Sequence, residues 1–288
     1  MASKSSMGVR TPQTMWQKLG TTTASEENLR YRLGKLAAAG ILKGRWLDCG
    51  CADGGYARAI AALTGCPVVG IDVEPLRLRG EGGSSDDCSA VMAAGDVERL
   101  RQTTVAAGAA DCPPPAVRFV CAAGERLPFR AGVFDGVLLN ETLEHVDDDR
   151  KTLAEVFRVL KPGGHVAVMS PNRGCPFEGH GAVFGPISAP YPVPLLPWLP
   201  ARLGRRFMVA RNYWPRELRA LVRQAGFRVR RQGYVLPVFG KYALGMPQAA
   251  VRLYRRLLPR LEQTPIIRRL GVSTLVVGQK PYSRGGSA

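Results

Sequence analysis

Short apolar runs alternate with stretches of helical periodicity along the middle of the chain. Apolar runs of this length, bounded by turn residues, predict buried strands, and their alternation with helices predicts a parallel sheet covered by helices. The five strands predicted in this part are Arg45–Cys49, Pro67–Ile71, Val117–Cys121, Phe134–Leu139 and His165–Ser170.

Amphipathic helices are predicted between and after these strands. The clearest are Tyr56–Leu63 and Asp148–Val159, and the second is stopped by Lys161-Pro-Gly-Gly. Its apolar face consists of Leu153, Val156, Phe157 and Leu160. The C-terminal part predicts, in order, a helix at Arg216–Ala225, a strand at Phe227–Val235, an Arg-rich helix at Ala249–Leu258 and a last apolar run at Ser273–Val277.

Three segments depart from this alternation. Residues 1–40 are polar and weakly helical from Ser25 to Ala39, residues 77–115 are rich in Gly, Ser and Asp, and residues 171–215 are crowded with Pro, Gly and aromatics. We expect one helix near Val97–Ala107. The predicted organisation is an N-terminal segment (1–40) and one domain (41–288) with insertions at about 77–115 and 171–215.

The composition is that of a soluble globular protein, with 45% hydrophobic and 22% charged residues among 288. No apolar run approaches the roughly 18–20 residues that a membrane-spanning helix needs. The N-terminus lacks the apolar core of a secretory signal. A cytoplasmic protein is therefore expected, with peripheral contact to a membrane left open.

The net charge of +17 is unevenly distributed. Residues 200–270 contain sixteen Arg and Lys241 against Glu217 and Glu262, a net charge of +15. Concentrated positive charge attracts phosphorylated substrates, acidic lipid surfaces or nucleic acid. A solvated basic face is an equally acceptable interpretation.

The most informative segment is the glycine turn, residues 48–54, between the first strand and the first helix. Gly50, Ala52 and Gly54 allow the backbone to approach a ligand closely. Asp72, at the tip of the second strand, suits the hydroxyls of a ribose. The carboxylates of Asp48 and Asp53 would repel a pyrophosphate but attract the cationic end of S-adenosylmethionine. The charge therefore favours that cofactor over a dinucleotide.

From this turn to residue 172 the chain resembles the class I S-adenosylmethionine-dependent methyltransferases, with a motif set similar to that of the ubiquinone-pathway O-methyltransferases. The similar segments are Leu47–Gly54, Val69–Asp72, Phe119–Phe129 with Phe134–Val137, Leu143–Val146 and Leu160–Gly164. The resemblance implies an α/β, Rossmann-like fold: a seven-stranded, mostly parallel sheet with helices on both faces and an antiparallel last strand. It also implies S-adenosyl-L-methionine as cofactor and S-adenosyl-L-homocysteine as product.

The resemblance places Gly50, Ala52 and Gly54 at the amino acid end of the cofactor, Asp72 at the ribose, and Gly124 with Glu125 on the adenine side. Ala52 stands where Gly is usual. Ala123 stands where an acidic residue is common, so its contact would be made by backbone only. Residues 94–100 are a competing match to the adenine motif. The full predicted cofactor set is Asp48, Gly50, Cys51, Ala52, Gly54, Tyr56, Asp72, Val73, Ala123, Gly124, Glu125 and Asn140.

The predicted catalytic residues follow the fourth strand. If this segment is helical, Glu141, Glu144 and His145 share one face. They could then orient a general base, bind a divalent cation or serve a structural role. His145 is our predicted catalytic residue, supported by Glu144 and Glu141, with His180 as second choice, and His165 is expected to be structural. No metal ligand is assigned, although the resemblance leaves a divalent cation open.

The expected activity is O-methylation of a small-molecule or lipid-like metabolite, including an anionic one or one of secondary metabolism. Neither Asn-Pro-Pro-Tyr nor Asp-Pro-Pro-Tyr follows the fourth strand, which argues against base N-methylation but leaves other RNA and protein targets open. A nucleic-acid partner is not expected. The alternatives are an RNA or protein methyltransferase, a non-catalytic cofactor-binding module and, more distantly, a nicotinamide dehydrogenase. Residues 176–200 could form a lid. The helix with Val251, Tyr254, Leu257 and Leu258 could lie on an anionic membrane or pack inward.

Overall fold

The computed structural model describes residues 26–74, 116–185, 187–189, 193–204, 206–238 and 247–282. The predicted insertion at 77–115, its predicted helix at 97–107 and the competing motif at 94–100 lie outside these residues.

The described elements follow the predicted alternation. In chain order they are α1 (Glu26–Ala37), β1 (Trp46–Cys49), α2 (Gly55–Thr64), β2 (Val68–Asp72), β3 (Val117–Cys121), β4 (Phe134–Asn140), α3 (Asp149–Val159), β5 (Leu160–Pro171), β6 (Phe177–Glu178), β7 (Ala182–Phe184), β8 (Ile187–Ala189), β9 (Val193–Pro194), a 3-10 helix (Leu196–Trp198), α4 (Ala201–Gly204), α5 (Pro215–Gln224), β10 (Arg228–Val235), α6 (Gln248–Gln263), α7 (Pro265–Arg269) and β11 (Ser273–Gln279).

Seven strands form one sheet in the order β10-β11-β5-β4-β1-β2-β3. The pairs β5–β4, β4–β1, β1–β2 and β2–β3 are parallel, whereas β11 is antiparallel to both of its neighbours. The predicted seven-stranded, mostly parallel sheet with an antiparallel last strand is therefore confirmed.

Helices cover both faces of the sheet because successive strand side chains point to opposite sides. On one face Trp46, Leu138 and Ala167 pack with α1 and α2. On the other face Leu47 and Leu139 pack with α3 and α5. The two apolar clusters fix the position of each strand along its own axis. The carboxyl ends of β1, β2, β4 and β5 therefore lie together at one edge of the sheet.

Two elements are longer than the sequence predicts. The strand expected at His165–Ser170 starts at Leu160, where it pairs with Phe134, and the peptide N–H of Gly163 donates to the carbonyl of Lys280. The predicted Lys-Pro-Gly-Gly stop does end α3, but its residues already belong to β5, with Gly163 in a left-handed conformation at a φ of 80°. Helix α6 continues five residues past the predicted end at Leu258, through Pro259.

Residues 171–215 contain regular structure. Strands β6 and β9 pair with each other, as do β7 and β8, in two small antiparallel sheets. Arg173 holds the following 3-10 helix by donating to the carbonyls of Pro197 (2.9 Å) and Leu199 (2.6 Å). In the part of the chain that is described, no helix combines the length and the apolar character needed to cross a membrane.

Gly136 tests how tightly the sheet is packed. A Cβ at this position would lie 2.2 Å from the ring of Trp46, which is fully buried. We expect Gly136→Ala to lower the free energy of unfolding by about 1–3 kcal/mol through overpacking. Urea denaturation measures this, with Gly233→Ala as the matched control, since a Cβ there meets nothing within 4 Å. Equal effects of the two substitutions would contradict the packing argument.

Candidate functional site

The glycine turn lies at the carboxyl end of β1 and is held in a left-handed conformation. Gly50, Ala52 and Gly54 have φ values of 79°, 47° and 79°. A Cβ would lie 2.4 Å from Thr142 at Gly50 and 2.3 Å from Phe119 at Gly54. The two glycines are therefore required by close packing as well as by backbone conformation. Ala52 takes up a strained φ, which accompanies functional turns.

Asp72 joins this turn to the tip of β2. Its Oδ2 accepts a hydrogen bond from the Ala52 N–H and its Oδ1 from the Glu74 N–H, both at 3.0 Å. The N–H groups of Gly50 and Cys51 donate to the Ile71 carbonyl at 2.8 and 2.9 Å. The carboxylate is thus fixed at the sheet edge, while Val73, next to it, leaves 58% of its surface exposed.

Asp48 is a buried carboxyl with an unmet hydrogen-bonding requirement. Among the described residues, its Oδ2 has no hydrogen-bond partner. Burial, with smaller contributions from the charges of Asp53 and Asp72, raises the pKa of Asp48 to about 7. A cationic group brought to this position would relieve both conditions.

The predicted adenine side is formed by the loop after β3. Gly124 is buried, and a Cβ there would lie 3.0 Å from Thr152, whereas Ala123 is exposed. The Glu125 Oε1 accepts a hydrogen bond from the Asp147 N–H at 2.9 Å. The carboxylate therefore fastens this loop to the start of α3, a contact that sequence reasoning did not anticipate.

Sequence reasoning missed Arg32, which organises the opposite side of the site. This buried residue of α1 donates from Nη1 to Asn140 Oδ1 (2.8 Å) and Glu141 Oε1 (2.6 Å), and from Nη2 to Ser273 Oγ (3.0 Å). Burial opposes ionisation of Glu141, but the charges of Arg32 and His180 outweigh it and lower the pKa of this carboxyl. Glu141 is therefore held as an anion. No sequence motif marks Arg32.

The segment with the predicted catalytic residues is a turn, so the expectation of a shared helical face was wrong. Glu141 has a φ of 51°, and the His145 N–H closes the turn on the Thr142 carbonyl at 2.9 Å. The left-handed backbone at Glu141 directs its side chain toward α1 and leaves His145 exposed. Glu144 is buried and accepts a hydrogen bond from Ser170 Oγ at 3.1 Å. Burial and the adjacent charge of Glu141 raise the pKa of Glu144 well above its ordinary value.

His180 joins these residues from the segment after β5. Its ring centroid lies 5.2 Å from that of His145, and its Nε2 lies 3.8 Å from Glu144 Oε1. Behind it, Glu178 is fully buried, accepts from Asn212 and lies 3.3 Å from His180 Nδ1. Ligand atoms of Glu144, His145 and His180 all lie within 4.8 Å of one another. His180, the second choice of the sequence analysis, thus lies beside His145, the first choice.

The remaining residues named in the sequence analysis lie in the turn, in α2, at the end of β4 and in β5. Cys51 is buried in the turn. Tyr56 is in the first turn of α2, where burial raises its pKa to about 12. Asn140 ends β4 and is bound by Arg32. His165 lies within β5, where burial lowers its pKa.

Comparison with known protein families agrees with this geometry. A family described as a methyltransferase domain matches residues 24–232. An O-methyltransferase of Aspergillus sclerotiorum is 29% identical over 183 residues, which cover 64% of this chain and 54% of that protein. A demethylmenaquinone methyltransferase of Thermus thermophilus is 34% identical over 136 residues, which cover 44% of this chain and 58% of that protein. The chain thus spans little more than half the length of these two relatives.

Solved structures show the same fold at low identity. A chain from the complex of the Trm112 methyltransferase activator with a methyltransferase of Haloferax volcanii has a TM-score of 0.55 and 17% identity, covering 95% of this chain and 100% of that chain. A methyltransferase of Aquifex aeolicus has a TM-score of 0.50 and 14% identity, covering 94% and 98%.

The buried carboxyl of Asp48 generates a prediction about stability and pH. Because an unfolded Asp titrates near 3.9, the folded protein holds one proton more between about pH 4 and pH 7, and stability is lost as the pH rises through this interval. Asp48→Asn removes the charge. In ligand-free protein we expect it to raise the free energy of unfolding by about 3 kcal/mol more at pH 8 than at pH 5, because most of the cost of ionising the buried carboxyl arises between these two pH values.

Urea denaturation at the two pH values measures this difference. The exposed carboxylate of Asp147 gives the control, Asp147→Asn, which should change neither curve. An Asp48→Asn effect of the same size at pH 5 and pH 8 would show that the charge of Asp48 is not its cause.

Proposed function

The chain belongs to the class I S-adenosylmethionine-dependent methyltransferases, and we propose that it methylates a hydroxyl oxygen of a small-molecule or lipid-like metabolite. The observation that carries the proposal is the grouping of Glu144, His145 and His180 at the same sheet edge as the glycine turn. A hydroxyl is a weak nucleophile, so a base beside it is useful, whereas an amine acceptor needs mainly alignment.

The residues at the turn fit the cofactor of this family. The left-handed turn leaves no room for side chains at Gly50 and Gly54, and the Asp48 Oδ2 has no donor in the described structure. We assign Asp48 and the turn to the amino acid end, Asp72 to the ribose and Gly124 to the adenine side. When bound, S-adenosylmethionine supplies an electrophilic methyl group on a positively charged sulfur.

The proposed catalytic group contains a fixed anion, a buried acid and two imidazoles. Arg32 holds Glu141 as an anion, and burial together with the charge of Glu141 raises the pKa of Glu144 well above its ordinary value. Imidazole is the side chain best suited to accept a proton near neutrality. We therefore assign His145, which is exposed, to remove the proton from the acceptor hydroxyl. We assign His180 to position His145.

The relatives support a small-molecule acceptor. Those described above are named for O-methylation and for demethylmenaquinone. Another relative, 37% identical over 75 residues, is a ubiquinone/menaquinone biosynthesis C-methyltransferase of Haemophilus ducreyi. That name favours a carbon atom of a hydroxylated ring as the second candidate acceptor, for which the same base would ionise the ring hydroxyl.

Cofactor binding tests the assignment of Asp72. Asp72→Asn would turn an amide N–H toward a backbone N–H of Ala52 or Glu74 and would remove an acceptor for the ribose. We expect the Kd for S-adenosylmethionine to rise about 10- to 100-fold, as the loss of charge-assisted hydrogen bonds does. Calorimetry on nucleoside-free protein measures it, with Asp147→Asn as control. An unchanged Kd would place the ribose elsewhere.

Product analysis tests the acceptor class. Purified protein is incubated with methyl-labelled cofactor and separate fractions of small metabolites, extracted lipids, RNA and protein. We expect label in a small or lipid-soluble methyl ether, identified by mass spectrometry. Label confined to RNA or protein would favour the macromolecular alternative. Tight cofactor binding with no labelled product in any fraction would favour a non-catalytic binding module.

Substitution of the histidines tests the base. We expect His145→Ala to lower kcat about 100- to 10,000-fold, the usual contribution of general acid–base catalysis, with the Kd of the cofactor unchanged. Lys151→Ala, on the exposed face of α3, is the control. A matching rise in the cofactor Kd would assign His145 to binding instead.

The same cluster could hold a divalent cation, since carboxylate and imidazole are suitable ligands. Under the base mechanism, dialysis against EDTA leaves kcat unchanged. If activity is lost and then returns on addition of Mg²⁺, Mn²⁺ or Zn²⁺, the cluster is a metal site and not a general base. Metal analysis of the Glu144→Gln variant then checks the ligand set.

A further inference from the structure

Exposed apolar side chains are concentrated in one part of the chain. Of thirteen large hydrophobic residues that are exposed among the described ones, eleven lie between Phe177 and Leu270. The same part of the sequence carries the charge excess, with a net +15 over residues 200–270. A surface that is both basic and apolar is not explained by a methyltransferase core.

Helix α6 presents this combination on its solvent side. Residues 252, 253, 256, 257 and 260 are all exposed and recur at helical spacing. They place Leu253, 58% exposed, and Leu257 among three arginines. The opposite side packs inward: Val251 is buried and Tyr254 donates to the Pro237 carbonyl at 2.9 Å. The two solvent-side leucines thus lie outside the inward-facing stripe.

Helix α7 extends the surface. Ile266, 74% exposed, Ile267 and Leu270 are exposed beside Arg268 and Arg269. Arg269 also lines an open cleft of about 730 Å³ between α5 and β10. Its lining combines two aromatic residues with arginines: Trp214, Tyr234, Arg216, Arg219, Arg223 and Arg269.

We propose that α6, α7 and this cleft form a docking surface for a membrane of anionic phospholipids. The arginines match the lipid phosphates in charge, and the cleft can accept a headgroup. The exposed leucines and isoleucines gain free energy when an apolar environment such as the bilayer interior removes them from water, which the phosphate backbone of RNA does not do. A bilayer satisfies both features at once.

The docking surface lies close to the catalytic edge. Glu262 of α6 accepts hydrogen bonds from Tyr31 and Lys35 of α1, the helix whose Arg32 binds Glu141. On the other side, the carbonyl of Arg269 accepts from Asn172 at the end of β5 at 2.8 Å. A docked protein would hold its catalytic edge near the lipid phase. The proposal itself does not require that the acceptor is a lipid.

Vesicle flotation tests the docking surface with the full chain. The probes are vesicles of phosphatidylcholine alone and of phosphatidylcholine with phosphatidylglycerol. We expect wild-type protein to float only with the anionic vesicles. The triple variant Arg252→Ser, Arg256→Ser, Arg260→Ser should lower the partition coefficient roughly 100-fold, because each arginine near an anionic surface contributes about fivefold. Leu253→Asp with Ile266→Asp should also abolish flotation.

Matched controls separate the surface from net charge and from folding. Arg118→Ser, Arg130→Ser, Lys151→Ser removes the same charge from exposed positions outside the surface and should float like the wild type. Tyr282→Asp is the apolar control. Calorimetry with S-adenosylmethionine checks that every variant is folded.

Three outcomes would overturn the proposal. They are no flotation of wild-type protein with anionic vesicles, an equal loss in the two triple variants, and flotation that the leucine and isoleucine substitutions leave unchanged. Salt-sensitive retention on RNA together with the first outcome would assign the surface to nucleic acid. In each case cofactor binding by the wild type leaves the methyltransferase assignment intact.

Discussion

The burial of several carboxyl groups at one sheet edge is the electrostatic constraint on which the site depends. Asp48, Asp72 and Glu144 are buried, and Glu141 lies beside them. Each ionised group raises the cost of ionising the next. Arg32 compensates Glu141, whereas burial, with a smaller contribution from neighbouring carboxylates, raises the pKa of Asp48 and of Glu144. The edge therefore tends to take up positive charge, as a proton or as part of a ligand.

The sheet could be predicted from the sequence because its signals are local. Each strand is a short apolar run, and each glycine or aspartate of the turn is adjacent in sequence to the strand that positions it. The observed strand bounds differ from the predicted ones where the pairing partners are distant in the sequence. Strand β5, for example, gains its first residues from contacts with Phe134 and Lys280. Helix α6 contains Pro259 and continues to Gln263, five residues beyond the predicted end at Leu258.

The side of the site with the proposed catalytic residues could be predicted only in part, because its geometry depends on long-range contacts. His145 and Glu144 follow a recognisable motif, but a left-handed Glu141 turns the segment away from a helix. Arg32 reaches Glu141 across 109 residues, from a helix without a motif. His180 meets Glu144 only because β5 and the segment after it fold back over the edge. The contacts of Arg32 and of His180 with these carboxylates have no characteristic residue spacing in the sequence, so the contacts themselves could not be predicted from it.

The separation of charge within the chain bears on which acceptors are compatible. The proposed catalytic edge is lined with carboxyl groups, whereas the arginines of α5, α6 and α7 lie outside it. An acceptor that carries its negative charge at the reacting end would be repelled by Glu141. One with a neutral hydroxyl at one end and an anionic or lipid-embedded part at the other is compatible with both regions. The opposed charges thus favour, within our proposals, an extended amphipathic acceptor over a compact anion, and they fit the membrane docking that we propose.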